Sequence, residues 1–190
     1  MRNYLGLISI LFFCLIIILA TTLYPPFDIF SHTFSFLGTI PQTASLFNFS
    51  LIIIALLNLS YLRFMISSYQ LPERLKVINL WTFYSVLFSL ILVAVFPYNV
   101  NRFLHGLFAS IIFFGFPVAL IIFGISIHKR FPLFGKFTCF TGILIFISTF
   151  LLYRIFTISA FTEGIFLCEL SIWLTMANVH SEIKLKSYRH

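Results

Sequence analysis

Five ionisable side chains lie inside or beside long apolar stretches of this chain, and together they could bind an anion or transfer protons. They are Asp28, His32, His105, Arg154 and Glu169. A guanidinium neutralises an anionic group, and a carboxylate beside an imidazole can exchange protons with a ligand. Because ionisable groups are costly in hydrocarbon, those found within apolar stretches often mark a functional site. We therefore predict that these five residues line a binding pocket.

The composition indicates what kind of structure must position these residues. Of 190 residues, 61% are hydrophobic and 9% are charged, with a mean hydropathy of +1.07, whereas a soluble domain carries about 25% charged residues. Six apolar runs approach the ~20 residues that cross a bilayer as a helix; they are residues 4–24, 44–66, 78–96, 103–127, 137–158 and 164–179. We predict an all-α polytopic membrane protein, with six transmembrane helices in one bundle and residues 1–190 forming a single integral membrane domain.

The basic residues predict the orientation of the bundle. A net charge of +7 could suggest a nucleic-acid partner, but the basic side chains are grouped at helix ends rather than along one binding face. Ten of the twelve Lys and Arg residues fall at the chain ends or in the connections on one side, which is typical of the cytoplasmic side of a membrane protein. We predict a cell-membrane protein with both termini cytoplasmic and no nucleic-acid partner.

The first outer loop has a periodicity of its own. Aromatic residues recur at helical spacing between Pro26 and Gly38, while Asp28 and His32 share a polar stripe with two serines. Proline suits an early helical position and glycine suits a helix exit. This pattern predicts a short amphipathic helix at the membrane interface, with its polar stripe facing water or a cleft.

The remaining ionisable groups are predicted to share one depth. Arg154 lies close to the outer end of the fifth run, and Glu169 lies about 7.5 Å into the sixth. Opposite charges at one depth offset part of each other's burial cost, so an ion pair between them, joined by Glu163, is expected. His105 lies just inside the outer end of the fourth run. The polar stripe of the outer loop would cover this layer from above.

Metal and cofactor chemistry have little support in the sequence. Asp28 and His32 could face the same way on a helix, and His105 or Glu169 could complete three metal ligands. No metal-ligand motif, glycine-rich phosphate loop or nucleotide fingerprint accompanies them. We therefore predict no cofactor and no metal, and keep metal ligation as an alternative.

Several short motifs resemble those of one membrane-protein family. They are Pro26, Asp28, Ser35-Phe36-Leu37-Gly38, Phe47-Asn48, Phe96-Pro97 and His105-Gly106. In this order they resemble the prokaryotic six-helix membrane proteins known as domain of unknown function nine-nine-eight. The resemblance implies a compact bundle with the Asp, Ser and His positions on one side. It implies no reaction, substrate or cofactor.

These observations lead to one preferred function and two alternatives. We expect the pocket to bind a membrane-lipid head group or a small amphiphile, with Arg154 facing the anion and Glu169 orienting Arg154. The first alternative is a hydrolase-like enzyme that modifies lipid, in which the imidazoles transfer protons. The second is a small secondary transporter, which normally has polar groups near the bilayer midplane and broken helices. The oligomeric state does not follow from the sequence.

Overall fold

The chain folds almost entirely into helices. The computed structural model describes residues 4–155 and 158–187. Within them, six α-helices and one 3-10 helix follow one another, as α1 Leu5–Leu23, the 3-10 helix Phe34–Gly38, α2 Ala44–Ser68, α3 Glu73–Val95, α4 Arg102–His128, α5 Pro132–Ile155 and α6 Ala160–Ser187. All six α-helices are long and apolar enough to cross a membrane. The prediction of an all-α integral membrane protein with six transmembrane helices is therefore confirmed.

The six α-helices close into a ring. Each helix packs on the next one along the chain, and α1 also contacts α6. We call the end that carries residues 24–43, the α3–α4 connection and the start of α6 the upper end, and the opposite end the lower end. α4 continues as a helix through Pro117, so this proline does not break the span in the way that secondary transporters often break their helices.

α4 and α5 approach each other through glycines. A Cβ atom added to Gly135 would lie 2.7 Å from the Cα of His128 and 2.9 Å from the carbonyl oxygen of Gly124. A Cβ added to Gly124 would lie 2.8 Å from the carbonyl oxygen of Gly135. Small residues allow backbones to pack at this distance in a membrane, where close van der Waals contact drives helix association. The two glycines thus fix the spacing of the α4–α5 pair near the lower end.

The lower half of the ring is filled by large aromatic side chains. Tyr69, Phe83, Phe123 and Trp173 are all fully buried, and their rings lie edge to face or stacked at centroid distances of 5.3–6.4 Å. The indole N–H of Trp173 donates to the Thr138 hydroxyl at 3.3 Å, which satisfies its one polar atom. This filled interior leaves the upper end as the place where a polar cavity can form.

The first outer loop contains less helix than the sequence predicts. The predicted amphipathic helix between Pro26 and Gly38 is confined to the five residues of the 3-10 helix. Asp28 explains the difference, because its side chain accepts the Phe30 N–H at 3.1 Å and the Ser31 hydroxyl at 2.6 Å. An aspartate that binds the backbone just after it in this way favours a turn over a continuing helix.

The junction between α5 and α6 lies three to four residues earlier than predicted, since α5 ends at Ile155 and α6 begins at Ala160. Ser159 and Thr162 determine the start of α6, because the Thr162 hydroxyl accepts the Ser159 N–H at 3.1 Å. This contact reproduces one half of a capping box, in which the third helical residue reaches back to the N-cap. The shift changes the depth of every ionisable group near the junction.

Candidate functional site

A polar cavity of about 480 Å³ opens at the upper end of the bundle. We call it the upper cavity. It lies between the 31–39 segment, the first turns of α4, the end of α5 and the start of α6. Its lining combines four ionisable side chains with many hydroxyl groups, namely His32, Arg102, His105 and Glu163 with Ser31, Thr33, Ser35, Thr39, Tyr98, Ser110 and Tyr153. Its volume falls in the range of about 300–1,000 Å³ that holds small ligands.

His32 reaches the upper cavity from the turn before the 3-10 helix. Its ring stacks on Phe36 at 4.4 Å and on Phe27 at 5.7 Å, so two aromatic faces hold its orientation. The Nδ1 atom accepts the backbone N–H of Asp28 at 3.0 Å. Because Nδ1 is an acceptor here, the neutral ring carries its proton on Nε2. His32 therefore has an N–H donor available for a ligand.

His105 has the opposite arrangement. It is buried in the first turn of α4, and its Nδ1 lies 3.0 Å from the carbonyl oxygen of Phe96, the C-cap residue of α3. A carbonyl can only accept, so Nδ1 is protonated and the neutral ring keeps a free lone pair on Nε2. Of the two imidazoles of the upper cavity, one can thus donate and the other can accept.

Arg102 supplies a positive charge to the upper cavity. It is the first residue of α4 and is exposed. Its guanidinium lies 5.3 Å from the centre of the Tyr98 ring, a cation–π contact that orients it without neutralising it. The Asn101 side chain accepts the Leu104 N–H at 3.0 Å and caps the helix. Capping by Asn101 fixes the first turn, on which both Arg102 and His105 stand.

Glu163 joins the upper cavity to the backbone of the first outer loop. Its side chain is buried in the first turn of α6, and Oε2 accepts the Phe34 N–H at 2.7 Å. Two further bonds run between the same elements, because the Ala160 and Phe161 N–H groups donate to the carbonyl oxygens of His32 and Ile29. The start of α6 therefore holds the loop over the upper cavity.

The structure brings together only part of the predicted pocket. His32 and His105 both line the upper cavity. Asp28 lies outside the lining but supports it, since it accepts the hydroxyl of Ser31 and donates its N–H to His32. These contacts suit its ionised form: the bond from Ser31, then that from the Phe30 N–H, lowers the pKa of the exposed Asp28 carboxyl below its usual value.

The predicted ion pair of Arg154 with Glu169 is wrong. Arg154 is one residue from the end of α5 and is exposed, with no ion pair among the described residues. Glu169 lies nine residues, or about 13 Å, below the start of α6, where Oε2 accepts the Ser148 hydroxyl at 2.8 Å. Because the α5–α6 junction lies earlier than predicted, Arg154 lies nearer the upper end than predicted and Glu169 lies farther below it. Neither residue lines the upper cavity.

The metal alternative receives no geometric support. In residues 4–155 and 158–187, no group of three His, Cys, Asp or Glu side chains lies close enough to hold a metal ion. Of the ligands considered for it, Asp28 is bound to Ser31 and Phe30, and Glu169 is bound to Ser148 away from both histidines. The upper cavity must therefore be understood from its own side chains.

Two charged residues that complete the upper cavity, Glu163 and Arg102, are not among the five predicted pocket residues. The signal for Glu163 was the Ser159-x-x-Thr162 spacing, which marks a helix start and would have placed Glu163 in the first turn. The signal for Arg102 was its position directly after Asn101, a good N-cap. Tyr153 and the hydroxyls of the 31–39 segment meet only through tertiary packing and carry no such signal.

Removing the Glu163 carboxylate is expected to release the first outer loop. Glu163→Ala leaves the Phe34 N–H without its acceptor, and we expect the free energy of unfolding in detergent to fall by about 1–3 kcal/mol. Chymotrypsin cleavage between residues 27 and 36 should accelerate. Glu163→Gln keeps an acceptor oxygen, so its free energy of unfolding should fall by less than that of Glu163→Ala. Equal stability and equal cleavage of the two variants would show that the bond does not hold the loop.

The fold and the site together define the class of this protein: a six-helix integral membrane protein with a polar cavity at one end of its bundle. Residues 7–180 match the family described as Protein of unknown function (DUF998). The chain belongs to this family, as its motifs predicted. No curated protein and no solved structure matches the chain.

Proposed function

We propose that the upper cavity binds the anionic head group of a membrane lipid or a small amphiphile. The observation that carries this proposal is the gathering of Arg102, His32 and His105 in one cavity at the end of a membrane-spanning bundle. A guanidinium and an imidazole N–H suit a phosphate or carboxylate, and the surrounding hydroxyls suit its ester and alcohol oxygens. Arg102 takes the anion-binding role that was predicted for Arg154.

The position of the upper cavity supports a ligand drawn from the membrane rather than from bulk water. Gly106 and Ala109 line it and lie about 6 and 10 Å along α4 from its first residue. This depth matches the polar margin of a bilayer, where lipid head groups meet the hydrocarbon. Membrane lipid is accordingly the proposed partner, and nothing in the upper cavity resembles a nucleic-acid surface.

The charge distribution supports a proposed orientation. Arg74, Lys76, Lys129 and Arg130 lie at or beside the lower-end turns, whereas the upper end carries Arg102 and Arg154. The positive-inside bias favours an orientation with the lower end and both termini in the cytoplasm and the upper cavity on the outer side of the cell membrane. The ligand would come from the outer leaflet.

Filling the upper cavity tests the proposal. A Cβ added to Gly106 meets nothing within 4 Å, so Gly106→Trp should fold while its ring occupies the cavity. We expect native mass spectrometry of protein from phosphatidylglycerol-containing nanodiscs to show at least a tenfold loss of bound lipid. Gly106→Ala is the matched control and should keep its lipid. Wild-type lipid content in a folded Gly106→Trp protein would refute the proposal.

A second candidate function, a hydrolase-like lipid-modifying enzyme, is favoured by the two imidazoles. Nε2 of His105 has the free lone pair of a general base, and Nε2 of His32 has the proton of a general acid. The same mass spectrometry separates the two functions. Binding alone leaves the lipid mass unchanged, whereas hydrolysis yields fragments that disappear in His105→Asn.

A further inference from the structure

An apolar groove of about 410 Å³ separates α1 from α6 below the upper cavity. We call it the α1–α6 groove. Ile10, Phe13 and Ile17 form its α1 side, Leu167 and Leu174 are on its α6 side, and α2 and α3 lie behind it. It forms because α1 presents much of its length to the surroundings and because Gly164 of α6 has no side chain to close the gap. A Cβ at Gly164 would meet only the Phe34 ring, at 3.9 Å.

A third, smaller void of about 100 Å³ lies between the α1–α6 groove and the upper cavity. It shares Phe13, Phe34 and Leu167 with the groove. It shares His105 and Glu163 with the upper cavity. The three voids therefore follow one another from a polar upper part to an apolar lower part.

Phe34 and Glu163 mark the boundary between the polar and the apolar parts. The Phe34 ring lines the groove, while its backbone N–H is bound by the Glu163 carboxylate, which lines the upper cavity. From Glu163 to Leu174 the path covers eleven residues of α6, or about 16 Å. This equals about half of the ~30 Å hydrocarbon core, the depth reached by an acyl chain in one leaflet.

We propose that the upper cavity and the α1–α6 groove form one site for a long-chain anionic lipid, with its head group at Arg102 and one acyl chain running past Phe34 between α1 and α6. This proposal rests on the proposed head-group function and adds the hydrocarbon chain to it. Each methylene that the groove receives adds apolar contact to the complex. The preferred ligand is thus a lipid, rather than a small soluble anion with the same head group.

Two variants and two probes test this site. Gly164→Leu places a side chain in the groove but not in the upper cavity. Long-chain phosphatidylglycerol and its short-chain, water-soluble counterpart carry the same head group. We expect wild-type protein to bind the long-chain lipid more tightly, and Gly164→Leu to lose about tenfold in affinity for that lipid alone. Gly106→Trp should weaken the binding of both ligands, because it fills the upper cavity that both head groups use.

The outcomes separate the two proposals. If Gly106→Trp weakens both ligands while Gly164→Leu leaves long-chain affinity unchanged, the groove proposal is overturned and head-group binding stands. If Gly106→Trp changes neither, or wild-type protein binds neither ligand, both proposals fall. Should Gly164→Leu not fold, Ser171→Leu fills the lower part of the same groove. Unchanged long-chain affinity in that variant would also overturn the groove proposal.

Discussion

Replacing Arg102 with glutamine is expected to lower the affinity for anionic phosphatidylglycerol by about 10- to 100-fold. The substitution removes the positively charged guanidinium group from the lining of the upper cavity. A hydrogen bond to a charged group contributes about 1.5–3 kcal/mol, and 1.4 kcal/mol corresponds to a factor of ten. Arg102→Glu should reduce binding further, since it places like charges together. The change should be smaller for zwitterionic phosphatidylcholine, and binding to Arg102→Gln should depend less on salt than binding to wild type.

Arg154→Gln is the matched control for this prediction. Arg154 is an exposed arginine at the same end of the bundle but does not line the upper cavity. The Arg154→Gln variant should therefore keep wild-type affinity for phosphatidylglycerol in native mass spectrometry. Thermal unfolding should confirm that both variants are folded. Equal losses in the two variants would indicate a general surface attraction to anionic lipid, and the head-group site would be wrong.

Replacing Gly135 with alanine is expected to lower the free energy of unfolding by about 1–3 kcal/mol. The added methyl group would lie within 3 Å of backbone atoms of His128 and Gly124. Backbone atoms cannot turn aside as a side chain can, so α4 and α5 must separate and lose contact along their seam. The measurement is unfolding in detergent micelles, followed by helical circular dichroism. Gly135→Leu should fail to fold.

Gly106→Ala serves as the control for helix propensity. It makes the same substitution in the same helix pair, at a place where the methyl group meets nothing. Alanine favours a helix over glycine by about 1 kcal/mol, so this variant should be as stable as wild type or more stable. Similar destabilisation by both alanines would show that the tight α4–α5 approach does not determine stability.

The helices could be predicted well from the sequence because a bilayer imposes simple requirements on a membrane-spanning segment. A span must be about 20 apolar residues long and must satisfy its own backbone, and both properties can be read from composition. The predicted start of α2 at Ala44 agrees with the structure. α3 begins five residues earlier than its apolar run, at Glu73, because a helix can continue into its charged end after hydropathy has fallen.

The candidate site was harder to predict because it depends on helix depth to within one turn. The α5–α6 junction lies three to four residues earlier than predicted. As a result, Arg154 is exposed near the end of α5, and Glu163 rather than Glu169 lines the upper cavity. Hydropathy cannot resolve such a shift, while the capping residues Ser159 and Thr162 can. His32 and His105 both line the upper cavity, and each follows a proline-containing end of a span, where the position along the chain sets the depth.

The bonds from the start of α6 to the first outer loop have a consequence for biosynthesis. Phe34 and Glu163 are 129 residues apart in the chain, so the loop leaves the ribosome long before its partner helix is made. Until the sixth span inserts, the carbonyl groups of His32 and Ile29 lack the N–H donors that Ala160 and Phe161 provide. Ligand competence should consequently arise in a single late step of assembly, and nascent chains arrested before residue 160 should integrate five spans while retaining no lipid.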